Sequence, residues 1–472
     1  MDRRNLIFQA GAAALTVGAV AQAQPVAKTI SPAAKIVTAP GLGTVKPPIL
    51  RKVVCRVRPN IDNLSTDQLN ALKTGVSTMM SRSASDPTSW SYQAAMHATY
   101  TTPTLPLWNG CQHGTEQFLS WHRLFLYYFE RILRKASGSS SFMLPFWNWT
   151  TDRAMPAPFR DSTPGNPLFT THRGAGINGG ALLPTSAVAY APAMTNIPFA
   201  DFSSSLEGTP HGSVHVACGG WMGQIPTAGQ DPIFWLHHCN IDRLWEVWLG
   251  EGGGRADPTG SWRTQTFSFF DETGTERTVP VSKGLDTCKG LAYKYPAPLI
   301  LKPFPIFLLA QLNEARAAEI QAPPSAVSGR AELSAQAAEL KLPLPEAARG
   351  PNPHLYLAFE DIAVDNSEGY YEIYINPPPG KAPDPSDPSY AGNLVLFGLT
   401  QQERAVRHLG MDMAMPAPRR VFDVTRKLPQ IQAAKGFDAS AVRVVLVLRT
   451  TEGAKLEDGV RAHIGKVTLI AK

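Results

Sequence analysis

The stretch His211–Asp242, HGSVHVACGGWMGQIPTAGQDPIFWLHHCNID, constrains this chain most, because it holds four of the eleven histidines. His211 and His215 stand at i and i+4, so a helix turns both rings to one face. His237 and His238 are adjacent, and neighbours on a helix point about 100° apart. Only one of them can reach the point that the other two define. His238 shares a stripe with Ile241, Trp245 and Leu249, whereas His237 lies to one side with Leu244. The expected ligands are therefore His211, His215 and His238, with His237 in a supporting place.

A comparable group lies upstream. Ser65-Thr66-Asp67-Gln68 fits a capping box and predicts a first helix. A second should run from about Ser89 to His97, and a third from about Glu116 to Arg134. On the third, Phe118, Leu119, His122, Phe125, Leu126, Phe129 and Leu133 form one stripe at helical spacing. His122 thus faces the core, and His97 and His113 complete the group from a helix end and a loop. Several imidazoles buried without partners would be costly, and metal ions satisfy them at once. The donors are all nitrogen, with no Cys-x-x-Cys and no inward carboxylate cluster. Structural zinc usually takes four ligands including thiolates, and di-iron bundles use Glu with Glu-x-x-His. Imidazole suits copper, zinc, iron and nickel. Two three-histidine sites with open positions favour copper handling O₂, with a structural zinc protein as the plainer alternative.

The 472 residues allow two domains. Lys and Arg are scattered, so a net charge of +6 reads as a solvated surface and not as a nucleic-acid face. Arg3-Arg4, the apolar run Ala10–Ala23 and the ending Ala21-Gln22-Ala23 read as an export signal over 1–23. The twin arginine suggests the folded-protein export route, and an ordinary secretory signal is the alternative. Either predicts a periplasmic or secreted protein. Lys302, Pro303 and Pro305 interrupt the apolar stretch 298–312, so no membrane span is expected.

Residues 50–302 read as a mainly α-helical bundle with long loops, and 303–350 as a linker. Residues 351–472 read as an all-β antiparallel sandwich. Its expected strands are LYLAFEDI, YYEIYIN (370–376), NLVLFGL (393–399), RRVFDVT (419–425), VRVVLVLR (442–449) and KVTLI (466–470).

SWHRLFLYYFERIL (120–133), LPFWNWT (144–150), HxxxH (211–215), DPIFWLHHCNIDRLW (231–245) and the closing Tyr293-Lys294-Tyr295 together resemble the type-3 copper proteins. These are the tyrosinases, catechol oxidases (polyphenol oxidases) and haemocyanins. The C-terminal strands, YYEIYIN above all, resemble the shielding domain of plant-type polyphenol oxidases. The resemblance implies two copper ions, one held by His97, His113 and His122 and the other by His211, His215 and His238. It implies O₂ and a small phenolic substrate as partners, with no nucleic acid or membrane partner. The implied reaction is oxidation of o-diphenols to o-quinones, with o-hydroxylation of monophenols as a further activity left open, and a non-turning-over O₂ carrier is the competing class.

Cys111-Gln112-His113 fits the family's thioether variant, in which the cysteine joins the histidine ring; a free or disulfide-bonded Cys111 is the alternative. Cys55 and Cys288 are disulfide candidates, and Cys218 and Cys239 could be buried thiols. Glu207, four residues before His211, resembles the family's acid that orients a proton-accepting water together with an Asn, here Asn240. Gly212 stands where several monophenol-hydroxylating members carry Asn, and Ile225 where an aromatic gate would sit. Both, with Val216, are read as pocket residues, and the small side chain at 225 predicts an open pocket. The C-terminal domain is expected to cover the site in a latent form. His172, His354, His408 and His463 match no motif and are read as surface or loop residues.

Overall fold

The computed structural model describes residues 54–196, 198–296, 328–351, 353–400, 403, 419–434, 436–450, 459 and 461–472, all within one compact unit spanning 53–472. The expected signal segment 1–23, the stretch 298–312 and His408 lie outside the described residues.

The helical half begins with a short strand, β1 (Arg56–Val57), followed by α1 (Thr66–Met80). Ser65 and Gln68 form the expected capping box: Gln68 N–H donates to Ser65 Oγ at 3.2 Å, and Ser65 N–H to Gln68 Oε1 at 2.9 Å. Next come α2 (Trp90–His97) and α3 (Phe118–Ala136), and all seven stripe residues of α3 are buried. Arg134 and Lys135 close α3, where positive charge suits the helix dipole.

After several short turns come α4 (Phe199–Leu206), α5 (Ser213–Cys218) and α6 (Ile233–Gly250). The helix expected to open at His211 starts later. Glu207–Gly212 form a π-helical turn with Thr209 extended, and regular helix begins at Ser213. Pro210 carries no N–H, so the α ladder cannot run through it. Helix α6 is buried on almost every side, polar residues included, the mark of a central helix. It packs on α3, with Trp235 stacked on Phe129 at 3.4 Å between centroids.

A hairpin of β2 (Thr266–Phe270) and β3 (Glu276–Pro280) follows, and β4 (Tyr293–Lys294) pairs in parallel with β1. Beside that pair, Cys55 and Cys288 are disulfide-bonded, joining positions 233 residues apart.

The sandwich begins earlier than expected. Within the predicted linker, β5 (Gly329–Leu333) and β6 (Ala338–Leu342) are strands that bury Ala331, Leu333, Leu340 and Leu342 on alternate positions. Their Ala- and Glu-rich composition favours helix intrinsically, and cross-strand packing overrides it. Then come β7 (Leu355–Val364), β8 (Tyr370–Ile375), β9 (Tyr390–Val395), β10 (Arg420–Asp423), β11 (Val442–Arg449) and β12 (Ala462–Ala471). They form two four-stranded antiparallel sheets, in orders β10-β7-β12-β5 and β6-β11-β8-β9. Leu357 and Phe359 of the first sheet share a core with Ile373 and Leu446 of the second.

Every residue of β8 and β9 is buried. Successive strand residues face opposite ways. Tyr371, Ile373 and Ile375 point into the sandwich core, while Tyr370 joins the core of the helical half. Leu394 and Leu396 point inward, while Val395 and Phe397 join the helical core. The helical half covers this sheet at Tyr370 and Val395, while Tyr374 and Tyr390 bury each other with Val445, so these strands have no solvent face. Polar bonds fix the contact. Ser186 Oγ donates to Glu372 Oε1 at 2.7 Å, and Asn393 Nδ2 donates to the Ser186 carbonyl at 2.9 Å.

Candidate metal centre

Four helices and two irregular segments carry the histidines. His97 ends α2, His113 sits in the following loop and His122 lies on α3. His211 lies in the π-helical turn, His215 on α5 and His238 on α6. All six are buried. The rings of His97, His113 and His122 lie 5.0 to 5.6 Å apart between centroids. Those of His211, His215 and His238 lie 4.7 to 5.4 Å apart. The triads abut, with His122 stacked on His238 at 4.5 Å.

The backbone sets the tautomers. A carbonyl can only accept, so a ring nitrogen bonded to one must carry the proton. His97 Nδ1 bonds the Ile225 carbonyl at 3.1 Å and His122 Nδ1 that of Phe118 at 2.7 Å. His211 Nδ1 bonds the Glu207 carbonyl at 2.9 Å and His215 Nδ1 that of Met222 at 2.8 Å. In each case the in-plane lone pair is left on Nε2, as a metal ligand requires. The Nε2 atoms of His122 and His211 are buried with no hydrogen-bond partner. Burial pushes the rings of His122, His215 and His238 well below the ordinary imidazole range and His211 down to about 3, so they stay neutral. Neutral, buried imidazoles with inward lone pairs fit divalent or monovalent copper. Ligand atoms of His211, His215, His237 and His238 lie within 4.8 Å of one another, as do those of His97, His122 and His238.

His237 comes closer than its supporting place suggested, but its hydrogen bond runs the other way. Trp149 Nε1–H donates to His237 Nδ1 at 3.1 Å. The proton must then sit on Nε2, which cannot also bind a metal. Trp149 belongs to the LPFWNWT loop, so that motif holds His237 in this tautomer.

Asp242 fixes α6. It accepts bonds from Arg58, Arg123, Tyr293 and Tyr295, all buried. Burial would push its carboxyl up, but the two guanidiniums and two phenols hold it below the ordinary range. Arg173 pairs with Asp231 through two bonds of 2.8 and 2.6 Å at the start of the same helix.

Glu207, Gly212 and Ile225 line a cavity of about 140 Å³ over His113 and His211. Glu207 Oε1 accepts from the Gly114 N–H at 2.6 Å. Val216 and Asn240 do not line it. Asn240 Oδ1 instead accepts from Arg243 on its own helix at 3.1 Å, so Asn240 does not share the cavity with Glu207. The open pocket expected from Ile225 is not found either. Val395, Phe397 and Leu399 of the sandwich form its far wall. The Phe397 ring stacks on His215 at 4.4 Å and 14°, and meets His211 and His113 at 5.8 and 6.0 Å.

Cys111 Sγ lies 3.2 Å from His113 Nδ1. Cys218 and Cys239 are buried thiols outside any disulfide, and burial pushes both up. His172, His354 and His463 are exposed.

Comparison with known proteins agrees with this centre. Residues 87–192 and 183–251 match the common central domain of tyrosinase, and 313–472 match a domain family of unknown function. A tyrosinase of Hahella sp. (strain CCB-MM4) is 27% identical over 88% of this chain and 99% of its own. The latent polyphenol oxidase of Prunus armeniaca is 27% identical over 62% of this chain, which spans 60% of that protein. The solved structure of a latent aurone synthase (polyphenol oxidase) shares the fold, with a TM-score of 0.63 at 19% identity, covering 89% of this chain and 90% of that one. Residues 87–251 thus carry the common central domain of the tyrosinases, which are type-3 copper proteins. The chain is an oxidoreductase of the tyrosinase and catechol oxidase kind, with a dinuclear copper cofactor and phenol oxidation by O₂ as its general reaction.

Proposed function

We propose that this protein oxidises o-diphenols to o-quinones with O₂, and that monophenol hydroxylation is at most a minor activity. Two catechols would give up two electrons and two protons each, and one O₂ would become two waters. His97, His113 and His122 would hold one copper, and His211, His215 and His238 the other. The observation that carries this reading is the set of four Nδ1–H bonds to backbone carbonyls, which aim Nε2 lone pairs into one buried space. Copper bound there would activate O₂ and accept electrons from the phenol.

The chain's own groups do the rest. Glu207, held by the Gly114 N–H, would orient a water that takes the phenol proton. Gly212 lets Val395 of the sandwich close in on its side of the cavity. Cys111 would form a thioether to the His113 ring, fixing the one loop ligand. That step joins S–H and ring C–H, and O₂ would take up the two electrons and two protons released.

The sandwich would keep the enzyme latent, with Phe397 occupying the place of a substrate ring over His215. We further propose export by the segment 1–23, to the periplasm or outside the cell.

The test is a side-by-side assay of a monophenol and its catechol on copper-loaded protein, with quinone followed from time zero. Quinone from catechol without a lag is expected. An oxygenated form stable to excess catechol, in protein from which Phe397 has been removed, would establish the carrier instead.

A further inference from the structure

We infer that Glu403, a residue of the β-sandwich half, positions the copper ligand His97 by holding Ile225. This rests on the dicopper reading above. Ile225 serves both halves of the molecule. Its carbonyl accepts the Nδ1–H of His97 at 3.1 Å, and its N–H donates to Glu403 Oε1 at 3.0 Å.

Ile225 opens the short helical turn Ile225–Ala228. The N–H of a first helical residue has no acceptor within its own helix, so it must find one elsewhere. Here the acceptor comes from the other half of the chain, 178 residues away.

The carboxylate is itself held. Its second oxygen accepts from Thr400 N–H at 3.2 Å and Thr400 Oγ–H at 2.8 Å, while Glu403 N–H donates back to Thr400 Oγ at 3.2 Å. That reciprocal pattern is a capping box. Glu403 is fully buried. A buried acceptor-only group is costly to strip of its donors, so it resists being pulled away from Ile225. The covering half is then more than a lid. It completes the hydrogen-bond chain that sets the tautomer and angle of one ligand, a role that an isolated catalytic half would lack.

The experiment uses the full chain. Apo protein is loaded with copper, bound copper per chain is counted, and its loss to a chelator is timed for the parent, Glu403→Ala and Thr400→Ala. Thr400→Ala removes the hydroxyl but keeps the residue-400 N–H on the second carboxylate oxygen and leaves the Ile225 bond, so it reports on the local fold. Substitutions around a metal-bound histidine commonly weaken metal binding by about 10- to 100-fold. Glu403 acts one bond further out, so about tenfold faster loss of one copper is expected in Glu403→Ala, with the other copper and Thr400→Ala at the parent rate. Parent-like retention in Glu403→Ala would overturn the inference, as would equal loss in Thr400→Ala. A parent that takes up no pair of coppers would instead refute the dicopper reading. If Glu403→Ala does not fold, Glu403→Leu decides: it fills the space with no acceptor for the Ile225 N–H, so parent-like copper retention there also overturns the inference.

Discussion

At the scale of single residues, the distinction between His237 and His238 comes down to one proton. Four ligands give their Nδ1 proton to carbonyls, whereas His237 takes one from Trp149. No periodicity could show this, because it depends on which group meets the far side of each ring. Gly212 is similar. Its φ of −63° is ordinary helix, so the backbone does not require glycine. Space does: a Cβ there would lie 3.0 Å from Val395 Cγ1 and 3.3 Å from the Glu207 carbonyl. Gly212→Leu should therefore destabilise the folded chain by about 1–3 kcal/mol through overpacking. Val395→Ala should recover part of that loss, which a double-mutant cycle by urea unfolding measures. Additive losses would mean that the sandwich does not press on this residue. Cys111 makes a chemical prediction. After loading with copper and O₂, the peptide holding Cys111 and His113 should be lighter by two hydrogens in mass spectrometry, and Cys111→Ser should show no such change.

At the scale of elements, α3 and α6 are the two walls that carry His122 and His238, and a buried ionic cluster locks them together. Arg123 of α3 and Arg58 from beyond β1 meet on Asp242 of α6, with Tyr293 and Tyr295 completing its shell. The YKY segment thus reaches α6 through Asp242 and not through the substrate. Asp242→Ala would leave two buried guanidiniums without their shared partner. Breaking a buried ion pair from one side typically costs about 3–5 kcal/mol, so a loss of that order in chemical unfolding is expected. A loss below about 1 kcal/mol would show that Arg58 and Arg123 are satisfied by Glu130 and Glu246 alone.

At the scale of the whole molecule, the two halves share one buried face. If the sandwich keeps the enzyme latent as proposed, catechol would reach His215 when Phe397 moves aside, and its apparent affinity would scale with the fraction of open molecules. Phe397→Ala should raise catechol kcat/KM by about tenfold or more, with copper per chain unchanged. No change would mean that substrate enters beside Phe397 and that the sandwich is not a latency device.

The two groups of buried histidines, the helices bearing them and six of the sandwich strands were legible because each rests on local spacing. The i,i+4 pair, the 3.6-residue stripe of α3 and the two-residue alternation of β8 are short-range patterns, and burial simply follows them. The 100° step between neighbours showed that only one of His237 and His238 could join the other two rings. The covering of the site was not legible. Nothing in NLVLFGL alone tells which alternate residues face a second core, since Val395 and Phe397 look like any outward apolar pair until the helical half is laid against them. The strands β5 and β6 were hidden for the same reason: their helix-favouring residues are strands only because β11 and β12 pair with them. Asn240 turned to Arg243, and Glu403 to Ile225, through contacts that depend on three-dimensional approach. Local periodicity thus settled what most segments become and which residues could bind metal. Long-range packing decided each imidazole's proton, the wall over the cavity and the carboxylate that holds Ile225, because those depend on surfaces brought together only when the chain folds.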